Sequence, residues 1–272
     1  LTFVSDFNVV NACNGVIKFC DVESVREWSP TVQNIEENLT KKTKAVMVTH
    51  FAGIPAKNIF EIKELCQSKN IILIEDCAHA LGASIDEENC GTIGDFGAFS
   101  FYSNKNISTG EGGVISTRRK DFLNILRMIR SHGMTTSTLD REKGRAFSYD
   151  VIRYGLNYRF DEIRATLGLN QLRQFKSKHD IRDLLVDEYI NNFKGTDIYT
   201  IFSEDLNLTK RHSVNHIMPI LLPNDVDKQK IIAALQKKNI QSSMHYPPPW
   251  GMTAYKNQCK KEQLPITEEI TR

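Results

Sequence analysis

The first part of the chain alternates short apolar runs with amphipathic stretches, a pattern typical of α/β proteins. Apolar runs predict strands at residues 15–21, 44–50 and 71–76, and helical spacing predicts helices at 29–39 and 59–66. A strand followed by a helix and another strand implies a right-handed crossover and parallel pairing. We therefore expect a mostly parallel sheet that is covered on both faces.

The pattern continues beyond residue 90 with two further strands, predicted at 96–102 and 113–117, and a helix at 122–129. The polar, charged residues 135–149 are typical of an exposed loop. A long helical pattern then runs over residues 161–193.

The last part of the chain predicts strands at 217–222 and 240–245, separated by a helix at 226–238. This succession is typical of a small α+β domain. We therefore expect three parts, listed in chain order: a large domain over 1–160, a connecting helix over 161–194, and a small C-terminal domain over 195–272.

The charge balance excludes several classes of protein. The 272 residues include 35 Lys+Arg and 33 Asp+Glu, a formal net charge of +2, which argues against a nucleic-acid or membrane-surface partner. No window approaches about 18 uninterrupted apolar residues, so no membrane span is predicted. The six cysteines lack regular spacing and indicate reduced thiols in a cytoplasmic protein. His212 and His216 have metal-like spacing without a third ligand, so no metal is expected.

Two charged residues follow predicted strands, at positions where an α/β sheet can hold catalytic or ligand-binding side chains. Asp76 ends a buried strand, at the edge where ligands bind, although an Asp there can also cap the next turn. Lys105 follows a later strand and precedes a Gly-rich turn at 110–113, which matches neither nucleotide-binding glycine motif. A partly desolvated lysine can form a Schiff base. An Asp and a Lys so placed are the pair that pyridoxal phosphate needs.

Two long motifs make the chain recognisable. Residues 75–83, EDCAHALGA, resemble the "EDAAxxxGA" segment of the DegT/DnrJ/EryC1/StrS family of sugar aminotransferases. Residues 99–105, FSFYSNK, followed by GEGG at 110–113, resemble that family's "FSFxxxKxxxxGEGG" signature. YGLNYR at 154–159 is similar to the family's "GYNYR", and the HYPP segment that begins at His245 is similar to the same motif in the small domain. The matches follow the family's order over the whole chain.

The resemblance implies the pyridoxal-phosphate-dependent aminotransferase fold of type I: an α/β large domain with a mostly parallel sheet, and a small α+β C-terminal domain. It also implies residue roles at the cofactor. Lys105 forms the Schiff base, and Asp76 pairs with the pyridine nitrogen. His79 lies against the ring hydroxyl, Phe3 stacks on the pyridine ring, and Ser100 helps to hold the phosphate.

Three further residues are implied to reach a partner or a substrate. Asn157 resembles the residue that crosses a dimer interface to the neighbouring phosphate, and His245 and Tyr246 are similar to residues that face the nucleotide-sugar. The implied activity transfers an amino group, from glutamate, to a keto group of a nucleotide-linked sugar. Such products serve surface polysaccharide, lipopolysaccharide or amino-sugar biosynthesis. We expect a cytoplasmic homodimer without nucleic-acid or membrane partners.

Two departures from the family pattern leave alternatives open. The family's opening segment, which cradles the cofactor phosphate, has no counterpart here, and the sequence stops at Arg272, before the closing helix of the family's small domain. We therefore expect a fragment that lacks both ends. A non-catalytic subunit or sensor that binds pyridoxal phosphate or a nucleotide-sugar is one alternative. A pyridoxal-phosphate-dependent deoxysugar dehydratase of the same family is another, but those enzymes carry His at the position of Lys105.

Overall fold

The computed structural model describes residues 1–136 and 138–272, and their side chains except those of Thr138 and Leu139. The described α-helices are α1 (Ser5–Ala12), α2 (Val32–Asn38), α3 (Ile59–Ser68), α4 (Lys120–Ile129), α5 (Thr138–Glu142), α6 (Glu162–Arg173), α7 (Phe175–Phe193), α8 (Lys228–Lys237) and α9 (Pro265–Thr271). The described strands are β1 (Ala45–Thr49), β2 (Ile72–Asp76), β3 (Ser84–Ile85), β4 (Glu88–Asn89), β5 (Phe96–Ser100), β6 (Gly113–Thr117) and β7 (Arg211–His212).

The main sheet has four strands in the order β1-β2-β5-β6. β1, β2 and β5 run parallel, and β6 pairs antiparallel with β5. In the register of the sheet, Asp76 lies between Thr49 of β1 and Ala98 of β5. The carboxyl ends of the three parallel strands therefore share one edge, where open α/β sheets bind their ligands.

The core between this sheet and helices α2 and α3 explains why the early part of the chain folds as predicted. Val48 of β1 and Leu73 of β2 are buried together with Ile59 and Ile62 of α3. Burial of each of these side chains contributes roughly 2 kcal/mol. Thr31 begins α2, because its hydroxyl accepts a hydrogen bond of 3.0 Å from the N–H of Asn34. The predicted strands at 44–50 and 71–76 and helices at 29–39 and 59–66 are confirmed.

A second, antiparallel sheet has the strand order β4-β3-β7 and brings a late part of the chain back to the first part. Ser84 pairs with His212, and Ile85 pairs with Arg211. The segment that follows β7 continues along the residues between β1 and α3. There the Val214 N–H donates to the Gly53 carbonyl at 3.1 Å. Residues 211–216 are thereby fixed beside the carboxyl edge of the main sheet.

The long helical pattern forms two consecutive helices. α6 begins after Asp161, whose carboxylate accepts a hydrogen bond of 2.9 Å from the N–H of Arg164. It ends at Arg173, and α7 begins at Phe175, so that Gln174 alone separates the two helices. The predicted division into domains 1–160, 161–194 and 195–272 stays a prediction. Among the described residues, no helix is both long and apolar enough to cross a membrane.

The strand predicted at residues 15–21 is wrong, because a tertiary contact decides this segment. Residues 15–22 adopt no regular secondary structure. The Asp21 carboxylate accepts hydrogen bonds from the N–H groups of Ile266 (2.8 Å) and Thr267 (3.0 Å), at the beginning of α9. A carboxylate at a helix N-terminus satisfies backbone donors that lack an intrahelical partner. The segment is thus held by α9 and not by a neighbouring strand.

The strands predicted at 217–222 and 240–245 are also wrong. Pro219 and Pro223 lack the N–H that a strand needs, and one isolated bridge, between Tyr199 and Leu221, forms there. Residues 240–244 are exposed and pair with no described strand. The helix predicted between the two segments is confirmed as α8.

The remaining predictions concern the middle of the chain. The strands at 96–102 and 113–117 and the helix at 122–129 are confirmed as β5, β6 and α4. The side chains that the structure describes within residues 135–149 are mainly exposed, as predicted, but the segment contains the short helix α5. Ser137 of this segment lies outside the described residues.

Candidate active site

Asp76 and Lys105 both lie at the carboxyl edge of the main sheet. Asp76 ends β2, and its Oδ1 atom accepts a hydrogen bond of 2.9 Å from the N–H of Ala78. Lys105 lies in the loop between β5 and β6, where its N–H donates to the Tyr102 carbonyl at 3.0 Å. The two ends of this loop are joined by a 2.9 Å hydrogen bond from the N–H of Phe101 to the Gly112 carbonyl. The loop therefore returns Lys105 to the edge that Asp76 occupies.

The electrostatics of Asp76 and Lys105 differ from those of exposed side chains. Burial lowers the pKa of the Lys105 amine, and the charge of Asp76 partly opposes that shift. Burial raises the pKa of Asp76, against the effects of the Ala78 N–H and of Lys105. An amine whose pKa is lowered in this way loses its proton more readily, which is the condition for a nucleophilic lysine.

A second carboxylate, Asp6 of α1, lies within hydrogen-bonding reach of Asp76. Burial, followed by the charge of Asp76, raises the pKa of Asp6 to about 7. The Thr2 hydroxyl donates a hydrogen bond to Asp6. Two carboxylates this close cannot both ionise freely, so the pair retains a proton to higher pH than either would alone. Sequence reasoning missed Asp6, since an acidic residue in the first turn of a helix is ordinary.

His79 is held by hydrogen bonds on both ring nitrogens. The Ala52 N–H donates to Nδ1 at 3.3 Å, so the proton of the neutral ring is on Nε2, which donates to Tyr246 Oη at 2.9 Å. Burial, and then the proximity of His216, lowers the pKa of His79 to about 2. Burial also raises the pKa of Tyr246, which keeps its hydroxyl protonated. Because that hydroxyl accepts from His79, its own proton is available to another acceptor.

A cluster of aromatic side chains, here called the aromatic group, surrounds the hydrogen-bonded pair of His79 and Tyr246. The Phe3 and Tyr246 ring centroids are 5.4 Å apart, and those of His245 and Tyr246 are 4.7 Å apart. Burial lowers the pKa of His245. The Phe3 side chain is 53% exposed, which leaves one of its surfaces open to a ligand. The structure thus brings together Phe3, His79, His245 and Tyr246 from distant parts of the chain.

Ser100 and Asn157 stand apart from this group. Ser100 ends β5 at the same sheet edge, and its Oγ accepts a 3.3 Å hydrogen bond from the N–H of Tyr102. Asn157 is exposed, bridges to Ser131, and accepts a 3.3 Å hydrogen bond from the Arg159 N–H. In the described part of the chain, no hydrogen bond or ring contact joins either residue to Lys105 or Asp76.

Directly before Asp76, Glu75 belongs to a buried network that sequence reasoning missed. Its carboxylate accepts from His50 Nε2 at 2.9 Å and from three backbone N–H groups at 2.7–2.8 Å, those of Gly91, Ile93 and Gly94. Burial opposes ionisation of Glu75, but these donors outweigh it and lower the pKa.

His50 and Glu75 also lie within 4.8 Å of the Cys77 thiol, a combination of residues that can hold a metal ion. The Ala56 N–H, however, donates to His50 Nδ1 at 2.9 Å. The ring proton is therefore on Nε2, directed at Glu75, and neither nitrogen offers a free lone pair to a metal. Hydrogen bonding accounts for this cluster, which is structural.

The whole chain, residues 1–272, matches the sequence profile of the DegT/DnrJ/EryC1/StrS aminotransferase family. The chain belongs to this family. The predicted family and the α/β fold class are thereby confirmed.

Relatives and solved structures agree with this assignment. The chain is 30% identical to the GDP-perosamine synthase of Escherichia coli O157:H7, over 99% of this chain and 69% of the relative. It is also 30% identical to the uncharacterized protein MJ1066 of Methanocaldococcus jannaschii, over 91% of this chain and 64% of that protein. Helicobacter pylori PseC, an aminotransferase involved in the biosynthesis of pseudoaminic acid, superposes with a TM-score of 0.88 at 25% identity, over 99% of this chain and 70% of PseC. The chain thus spans about two thirds of the length of these proteins.

The residues at the sheet edge fit pyridoxal phosphate, the cofactor implied by the family motifs. Lys105 offers an amine of lowered pKa, and Asp76 offers a carboxylate within its electrostatic reach. The open surface of Phe3 and the neutral ring of His79 offer flat partners for an aromatic ring. An amine, a carboxylate and aromatic surfaces are the groups that such a cofactor requires of a protein.

Proposed function

We propose that the protein is a pyridoxal-phosphate-dependent aminotransferase that moves an amino group, from glutamate, onto a keto group of a nucleotide-linked sugar. The observation that carries this proposal is the half-buried Lys105 amine, which shares the carboxyl edge of the sheet with Asp76. Membership of an aminotransferase family supports it.

Each residue of the site receives a role in this proposal. When bound, pyridoxal phosphate supplies an aldehyde that an amine can hold and a pyridine ring that takes up electron density. Lys105 holds the aldehyde carbon, and its amine, once released, moves the proton of the substrate Cα atom. Asp76 accepts a hydrogen bond from the protonated pyridine nitrogen. Phe3 stacks on the ring, and His79 lies against the ring hydroxyl.

The substrate class follows from the relatives and from the aromatic group. GDP-perosamine synthase and the UDP-linked altrosamine transaminases of Campylobacter jejuni carry nucleotide-sugars in their names. His245 and Tyr246 line the same site, and the Tyr246 hydroxyl has a proton to donate to a sugar oxygen. We assign the product to surface polysaccharide, lipopolysaccharide or amino-sugar biosynthesis.

The assembly we propose is a homodimer in which Ser100 helps to hold the cofactor phosphate of its own site and Asn157 reaches the cofactor phosphate of the neighbouring subunit's site. Asn157 is flanked by exposed large side chains, Tyr154 (102%), Leu156 (60%) and Tyr158 (67%), the kind of surface that a subunit interface covers. Mixing equal amounts of Lys105→Ala and Asn157→Asp subunits should restore about a quarter of the sites. No recovery in mixtures, or a monomer in sedimentation, would contradict a shared site.

We place the protein in the cytoplasm. All six cysteines are free thiols, and Cys66, Cys77, Cys90 and Cys259 are buried. Unpaired thiols in this number suit a reducing compartment.

The decisive experiment compares the protein with its Lys105→Ala variant in the presence of pyridoxal phosphate. The protein should gain a visible absorption band that the variant lacks, and borohydride reduction followed by peptide mapping should locate the cofactor on Lys105. A Lys176→Ala variant is the control, because that side chain is 88% exposed and its amine pairs with Asp180 on α7.

Substrates are then added in turn. Glutamate should abolish the band and release 2-oxoglutarate, and GDP- and UDP-linked keto-sugars should be aminated. A band with no response to any amino donor would favour the non-catalytic subunit. Conversion of a deoxysugar without amination would favour the dehydratase, which carries His at the position of Lys105.

A further inference from the structure

His216, which the sequence analysis noted only for its spacing from His212, contacts two parts of the candidate site. Its Nδ1 atom lies 3.0 Å from Asn106 Oδ1, and an amide oxygen only accepts hydrogen bonds. The orientation of that amide is fixed independently, because the Asn106 Nδ2 group donates to the Val214 carbonyl at 3.0 Å. His216 therefore carries its proton on Nδ1. Its partner Asn106 directly follows Lys105 in the chain.

The same imidazole ring packs on His79. The two ring centroids are 4.4 Å apart, with an angle of 38° between the planes. Burial is the main reason that the pKa of His216 falls to about 3, as it is for His79. Two neutral rings are therefore in contact, and the proximity of His216 makes protonation of His79 less favourable. The Phe51 ring also meets the His79 ring, edge-on, with a centroid distance of 5.9 Å.

The backbone of His216 is fixed from two directions. Its N–H donates to the Ala52 carbonyl at 2.8 Å, and Ala52 also supplies the N–H that binds His79 Nδ1. On the other side, Arg182 of α7 donates from Nη1 to the carbonyls of Asn215 (3.0 Å) and His216 (3.1 Å). Ala52 and α7 thus hold the imidazole in one place, which is the condition for a group that positions others.

We propose that His216 is a positioning residue that fixes the ring of His79 and the turn of Lys105 and Asn106 in one mutual arrangement. It acts on Lys105 through the hydrogen bond to Asn106, and on His79 through ring contact. The roles of Lys105 and His79 in this statement rest on the proposed function. The geometry that joins them through His216 does not.

Two variants separate the two contacts. His216→Phe keeps an aromatic ring against His79 but removes the donor to Asn106. His216→Asn keeps an N–H donor near the place of Nδ1 but removes the ring. If His216 positions both groups, each variant should disturb one of them and spare the other.

Both readouts are made without cofactor, so they remain informative if the proposed function fails. ¹⁵N NMR reports the protonation of His79, and competitive labelling with acetic anhydride, followed by peptide mapping, reports the reactivity of Lys105 against pH. We expect His216→Asn to raise the pKa of His79 by at least one unit and to change Lys105 reactivity less than twofold. His216→Phe should change Lys105 reactivity about fivefold and leave His79 neutral. Equal effects of the two variants on both readouts, or no effect of either, would overturn the proposal.

One measurement needs no variant at all. In the wild-type protein, ¹⁵N shifts should show opposite neutral tautomers, with the proton on Nδ1 in His216 and on Nε2 in His79. His216 with its proton on Nε2 cannot donate to Asn106, and that result would also overturn the proposal. The addition of pyridoxal phosphate then tests the proposed function separately, since the absence of a Lys105-dependent band leaves the tautomers unchanged.

Discussion

Glu75 and Asp76 are adjacent carboxylates on one strand, and they meet opposite environments. Glu75 is 0% exposed and accepts four hydrogen bonds, from His50 and three backbone N–H groups. Asp76, on the other face of β2, is half-buried, accepts one backbone hydrogen bond, from Ala78, and lies beside the carboxylate of Asp6. The pKa of Glu75 is lowered, and that of Asp76 is raised.

The difference separates a carboxylate that stabilises the fold from one that is available for chemistry. Because its donors are all in place, Glu75 has no capacity left for a ligand. Asp76 and Asp6 remain poorly compensated, so a cationic group placed beside them gains more than it would beside Glu75. Unsatisfied charge at a sheet edge is typical of a functional site, whereas satisfied charge in the core is typical of structure.

The largest effect that we predict is the loss of stability when Glu75, the fully buried carboxylate, is replaced. Glu75→Ala leaves His50 and three N–H groups buried without an acceptor, so the free energy of unfolding should fall by about 3–5 kcal/mol. Urea denaturation monitored by circular dichroism measures it. Glu64→Ala, at an exposed position of α3, is the matched control and should change stability by less than about 0.5 kcal/mol. A loss below about 1 kcal/mol for Glu75→Ala would mean that this network is not structural.

The second prediction concerns Asp6, beside Asp76, where a substitution should stabilise the protein instead of destabilising it. The pKa of Asp6 is about 7 in the folded protein and 3.8 in its ordinary range, so the folded state holds a proton that the unfolded chain releases between these values. Stability from this group is therefore greatest below pH 3.8 and is lost as the pH rises to 7. Asp6→Asn, whose amide can donate to Asp76, should stabilise the protein by about 2 kcal/mol at pH 8 and by little at pH 3.5.

Thermal unfolding at several pH values measures this gain. Asp197→Asn is the control, because Asp197 is exposed and its variant should show no pH-dependent gain. A gain for Asp6→Asn that is constant over pH would show that the two carboxylates do not share a proton.

The chemistry at the sheet edge could be predicted from sequence because the residues that carry it lie in short, continuous motifs. Asp76 ends an apolar run, Lys105 precedes a Gly-rich turn, and both lie in motifs of fewer than twenty residues. One wrongly predicted strand is explained by a contact with a part of the chain that is distant in sequence. Residues 15–21 have strand-like periodicity, but the Asp21 carboxylate binds α9, about 245 residues further along the chain.

The remainder of the site could not be predicted for the same reason. His216 and Asn106 are 110 residues apart, and Tyr246 and His79 are 167 residues apart. Their pairing follows from how β7 joins β3 and how the segment after α8 folds back, which no local pattern encodes. Asp6 has no signal either, since only its proximity to Asp76 makes it unusual.

The third prediction concerns Lys105 and tests whether burial of its charged amine also lowers the stability of the folded protein. Burial lowers the pKa of Lys105 below 10.5, so the charged amine costs stability at neutral pH, and this cost disappears as the pH rises above 10.5. Lys105→Met should stabilise the cofactor-free protein by about 1 kcal/mol at pH 7, after allowance for screening. Urea denaturation measures it, with the 88% exposed Lys176→Met as the control. Destabilisation by Lys105→Met would mean that the attraction of Asp76 outweighs burial.

The smallest effect we predict is at the hydrogen bond between His79 and Tyr246. Tyr246→Phe keeps the ring but removes the acceptor of the His79 Nε2 proton. Because Tyr246, unlike Glu75, is only half-buried, the loss of stability should be only about 0.5–1 kcal/mol, in contrast to Glu75→Ala. Tyr189→Phe, at an exposed position of α7, is the matched control in urea denaturation. A loss of about 3 kcal/mol would mean that the His79–Tyr246 hydrogen bond is structural, like the network of Glu75. The expected small loss would mean that these two residues, like Asp76, are available to a ligand.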